Sequence, residues 1–99
     1  MKVSYTEFGI SKFAETFPAL SGAAGISPWN AEDLDTWAAE SDRSPNELHS
    51  AKYVLHLWNP DATWLCGGFD VSAATKAWDV EHRAAFLRLS GMGMFQDKN

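Results

Sequence analysis

The apolar positions of this chain recur mostly at helical spacing. In SYTEFGISKFAETFPAL, Phe13 and Phe17 lie four residues apart and share one helical face. Ser11 is placed to cap a short helix running through about Thr16, with Pro18 just beyond its end. SGAAGIS is small and flexible and reads as a loop. A second helix follows, with two competing starts: Ser27 as cap with Pro28 first, or Asn30 as cap with Ala31 first. Leu34, Trp37 and Ala38 form its apolar stripe.

The strongest local signal is SPNE at 44–47. Ser44 caps, Pro45 opens the helix and Glu47 reaches back, which is a capping box. Leu48, Ala51, Val54, Leu55 and Trp58 then recur at helical spacing, and Tyr53 and Leu57 widen the arc. This helix is expected to be central. Pro60 stops it by disfavouring a helical Asn59. ATWLCGGF has no strand alternation and reads as a short extended segment or a buried turn near 62–66. Asp70 caps a short helix, with Phe69 stapling back on Ala74, and Asp79 caps the next. That last helix presents Ala85, Phe86 and Leu89, and Gly91 or Gly93 ends it before a tail frayed at its end. The expectation is all-α: one domain over 1–99, a compact bundle of about five short helices.

Ninety-nine residues with 45% apolar and 13% aromatic content are enough for a single core. Five tryptophans suit cores and interfaces alike, with the core the favoured place for any one of them. Charge adds a sharper feature. The chain has 13 acidic and 8 basic residues, and WNAEDLDTWAAESD alone holds Glu32, Asp33, Asp35, Glu40 and Asp42 with no base. Outside it, acids and bases balance. On a helix these carboxylates fall on the arc opposite Leu34, Trp37 and Ala38, and Glu32, Asp33 and Asp35 sit near the positive end of the helix dipole. The basic residues Lys76, Arg83 and Arg88 lie in the C-terminal third. An acidic balance disfavours direct binding to nucleic acid or to an anionic membrane, and suits a basic partner or simple solubility.

Cys66 is the single cysteine, so no intrachain disulfide can form, which fits a reducing cytosol. The N-terminus shows no leader or spanning run, and a cytoplasmic location is expected. His49 and His56 are seven apart, and Lys52 and Tyr53 between them are not zinc ligands. With no CxxC or HxxxH pair, neither a metal nor a cofactor is expected. His49 reads as exposed, His56 as flanking the core and Cys66 as a buried inert thiol. WDVEHR groups Asp79, Glu81, His82 and Arg83, but neighbours on a helix point different ways, so adjacency alone makes no site. CGGF and GMGM lack the lysine and spacing of phosphate loops.

The run SAKYVLHLWNP…FDVSAATKAWDVEHRAAFL resembles a pattern in small uncharacterised bacterial proteins: WNP, then FD, an Ala-centred short helix and WD-x-x-HR-x-AF. It spans about residues 50–87 and is matched by Trp58, Asn59, Pro60, Phe69, Asp70, Trp78, Asp79, His82 and Arg83. That group's aromatic-rich tail is replaced here by GMGMFQDKN. The resemblance implies no activity. It implies one structural unit: a helix stop, a turn and two capped helices.

These observations favour a small non-enzymatic protein-binding module. Its contact residues are expected to be Glu32, Asp33, Asp35, Trp37, Glu40 and Asp42, facing a partner with a basic surface. A phage or mobile-element inhibitor, anti-CRISPR proteins among them, has this character, presenting carboxylates where a nucleic-acid-binding enzyme expects phosphate. Two alternatives stand beside it. One is a small enzyme or ligand-binding domain using His82, Asp79 or Cys66. The other is a homodimeric structural adaptor.

Overall fold

The computed structural model describes residues 6–88 and is all-α, with no strand among those residues. Helix α1 spans Glu7–Glu15, a 3-10 turn spans Pro18–Leu20, α2 spans Ala31–Ala38, α3 spans Pro45–Trp58 and α4 spans Val71–Ala77. A fifth helix, α5, covers residues 80–88. Leu89, Gly91, Gly93 and the tail lie outside the described residues.

Local capping sets most of these bounds. Ser44 accepts from the Glu47 N–H at 3.2 Å, and the Glu47 carboxylate accepts from the Ser44 N–H at 2.8 Å, completing the expected capping box. Asn30, not Ser27, caps α2, accepting from the Asp33 N–H at 3.0 Å. The Ser27–Pro28 peptide is cis, and Pro28 lies in the turn before the helix. Asp70 caps α4 through Ser72 and Ala73. The first helix departs from expectation. Thr6 caps α1 by accepting from the Gly9 N–H, so the helix starts five residues earlier than a Ser11 cap requires. Ser11 is buried within α1 and donates to the Ile26 carbonyl at 2.6 Å, tying the helix to the loop before α2.

Helix α3 is central as expected, packing on α1, the 3-10 turn, α2 and α4. The core is aromatic. Phe17, fully buried, stacks on Trp78 (centroids 5.7 Å apart) and meets Tyr53 edge-on at 5.9 Å. Tyr53 also meets Phe69 and Phe86, each at 5.0 Å. Rings from four parts of the chain thus close on α3, in edge-on and tilted geometries that suit their quadrupoles. The Trp78 indole N–H donates to Ser50 at 3.1 Å, satisfying two buried polar groups at once. Gly25 (φ +83°) lets the loop double back closely on Asn30 and Leu34, where a Cβ would collide with backbone. Its carbonyl accepts from the Asn30 N–H at 2.8 Å, fixing the entry to α2.

Candidate functional site

The acidic window divides once it is folded. Glu32, Asp33, Glu40 and Asp42 are exposed, Trp37 is half-buried, and Asp35 is only 6% exposed. The expectation that all five carboxylates share the solvent arc is corrected at Asp35. At 100° per residue it lies about 60° from Ala38 and about 160° from Trp37, on the far edge of the buried stripe. There its two oxygens accept from the backbone N–H groups of Leu65 and Cys66, both at 2.9 Å. Asp35 is therefore a structural carboxylate, closing the turn at 64–67 against α2.

Asp33, Thr36, Trp37 and Glu40 recur at i, i+3, i+4 and i+7, a second helical edge beside the core stripe. With Ala24 they line an open depression of about 260 Å³. An indole is thus flanked by two carboxylates and a hydroxyl. Arg43, one residue past the acidic window, closes one end of this edge. Its guanidinium lies 4.2 Å from the Trp37 ring centroid, its Nε donates to the Trp37 carbonyl at 2.8 Å, and it pairs with Glu40 and, at 3.9 Å, with Glu47. A guanidinium both stacks on a ring and forks toward carboxylates, which explains why arginine fits here. The sequence reading missed Arg43 because it stopped at Asp42, although i,i+3 and i,i+4 spacing to Glu40 and Glu47 was visible.

The His82 region is better connected than adjacency suggested. Asp79 caps α5 by accepting from the His82 N–H at 2.9 Å, and the same oxygen lies 2.7 Å from His82 Nδ1. Three residues apart on a first helical turn, the two side chains do meet. Asn46, at the start of α3, exchanges two 3.1 Å hydrogen bonds with Asp79. On the other side of the ring, Nε2 accepts from the Ala19 N–H at 3.0 Å. That bond requires a lone pair on Nε2, so the proton sits on Nδ1 and is donated to Asp79. The His82 hydrogen bonds hold the Asp79 carboxyl below its usual range, with Asn46 adding to the effect. His82 is 4% exposed and lies against Phe17, so both ring nitrogens are spent on protein partners.

Cys66 is half-buried. Burial pushes its thiol up to about 12, helped by the hydrogen bond to Asp35 and by that residue's charge, while Lys52 opposes. A thiol so raised is a poor nucleophile. The two remaining histidines exchange their expected places. His49 is half-buried with Nδ1 unpartnered, and burial followed by the Lys52 charge lowers its pKa. His56 is exposed, its ring 6.2 Å from Phe69. No group of three or more His, Cys, Asp or Glu among the described residues could hold a metal ion. No helix among them is long and apolar enough to cross a membrane.

A second depression, about 230 Å³, is lined by Glu7, Phe8, Ser11, Ser27, Pro28 and Trp29. Neither depression is lined by His82, Asp79 or Cys66. Comparison with protein-family models, with curated proteins and with solved structures found nothing that matches this chain.

Proposed function

We propose that this chain is a small non-enzymatic protein-binding module that engages a basic partner surface through the outer edge of α2. The observation that carries the reading is the Asp33–Thr36–Trp37–Glu40 edge, where a half-buried indole sits among exposed carboxylates over an open depression. Glu32 and Asp42 extend the negative field around it, within a chain of net charge −5. Exposed carboxylates around an aromatic anchor give long-range attraction and a contact point together. Asp35 takes no part in contact, since both its oxygens serve the 64–67 turn. The finer form of the reading is inhibition of a nucleic-acid-binding enzyme, as a phage or mobile-element inhibitor of the anti-CRISPR kind. What supports it is the charge complementarity alone: exposed carboxylates can occupy a basic groove in place of phosphates.

The test reverses Glu32, Asp33, Glu40 and Asp42 to Lys and leaves Asp35 in place. Wild type and variant are compared in capture of partners from the native host at low and high salt. The reading expects a basic partner retained by wild type at low salt, released by high salt and lost in the variant. A partner held equally by both proteins refutes it.

A further inference from the structure

Resting on that reading, we infer that the α2 edge recognises arginine in its partner, with a guanidinium inserted into the depression lined by Ala24, Asp33, Thr36, Trp37 and Glu40. Carboxylates alone would attract any cation, so the acidic residues do not carry this point. Arg43 does. Trp37 and Glu40 already hold one guanidinium, stacked at 4.2 Å from the ring centroid, bonded through Nε to the Trp37 carbonyl and paired with Glu40. The chain's own arginine displays the chemistry these two side chains accept: a flat cation on an indole, with a carboxylate at its edge.

Arg43 is not among the residues lining the depression, so that space is open beside the occupied one. Asp33 sits one turn before Trp37 and makes no ion pair with any described residue. It is free to act toward an incoming cation as Glu40 acts toward Arg43. Thr36 adds a hydroxyl on the same wall. A lysine ammonium is a strongly hydrated point charge and gains less from the indole and from the fork, so the edge should separate the two cations.

The experiment uses the whole chain and a fluorescent Gly/Ser peptide carrying several arginines, beside a twin carrying lysines. Binding is read by anisotropy at low salt, and the fold of each variant is checked by circular dichroism. The arginine peptide is expected to bind about three-fold tighter than its twin. Trp37→Leu should erase that preference and Trp37→Phe should keep part of it. Asp33→Asn, at an exposed position, should weaken both peptides. Equal binding of the two peptides by wild type overturns the arginine inference, even if the four charge reversals still abolish partner capture. A preference that survives Trp37→Leu overturns it too, as does failure of the arginine peptide to bind. In all three cases the broader binding reading is judged separately by its own capture experiment.

Discussion

His82 Nε2 accepts a 3.0 Å hydrogen bond from the backbone N–H of Ala19, 63 residues away in the chain. This bond joins the start of α5 to the 3-10 turn. The same ring lies against Phe17 and donates to Asp79, which in turn holds Asn46 of α3. One imidazole therefore fixes three elements, and its removal leaves the Ala19 N–H without its partner as well as a gap beside Phe17. His82→Ala should cost about 3 kcal/mol of folding stability, read from urea denaturation. A loss under about 0.5 kcal/mol, the range of ordinary surface substitutions, would show that the relay is dispensable.

Asp79 gives the acid side of the stability profile a definite sign. Its folded pKa lies below its ordinary 3.8 because His82 donates to it. A carboxylate depressed on folding contributes stability above its unfolded pKa, and that contribution fades as pH falls through the lower, folded value. Asp79→Asn should therefore lose stability near neutral pH and show a flatter decline below about pH 4 than wild type. Denaturation midpoints measured from pH 7 down to pH 2 distinguish the two; parallel curves would remove Asp79 as a source of acid sensitivity.

The two kinds of carboxylate in the acidic window should separate under mutation. Asp35→Ala leaves the N–H groups of Leu65 and Cys66 without the acceptor each has at 2.9 Å. Its expected cost is about 3 kcal/mol. Glu32→Gln and Asp33→Asn, both exposed, should stay within about 0.5 kcal/mol of wild type. Thermal melts of the three variants check this directly, and equal losses would contradict the division.

Cys66 should react slowly in the folded chain. With its thiol at about 12, thiolate is scarce at neutral pH. Iodoacetamide labelling at pH 8 is expected to run at least about 100-fold slower in the native protein than in urea. Asp35→Ala should narrow that gap, since Asp35 supplies both a hydrogen bond and a charge that raise the thiol. Labelling at the unfolded rate in native wild type would mean that the thiol is ionised in the fold.

Much of the fold was legible locally. Ser44 with Glu47, Asp70 and Asp79 are caps whose chemistry lies within three residues, so sequence alone could place them. Ser11 misled because a serine beside apolar residues looks like a cap, whereas here its hydroxyl meets the Ile26 carbonyl, a tertiary partner. His49 and His56 both border the apolar arc of α3, and packing across the helix decides which of the two is covered. In the site, apolar character groups Trp37 with Leu34 and Ala38, although Asp33, Thr36 and Glu40 share its edge just as well by spacing. Asp35 could have been separated from the rest by the same angular reading. Its donors, the N–H groups of Leu65 and Cys66 some 30 residues on, lie outside what spacing within one helix can reveal.

The inward turn of Asp35 has an evolutionary consequence. Within one short helix, the carboxylate that anchors the fold turns inward, while Asp33 and Glu40, which we propose meet a partner, lie about 140–160° away around the axis. On the proposed reading, drift at positions 32, 33, 36 and 40 retunes what the surface attracts while the scaffold persists, so long as position 35 is conserved. A deep mutational scan should therefore show one intolerant column amid permissive acidic neighbours, and homologues built on this plan could diverge in partner while keeping a single inward carboxylate.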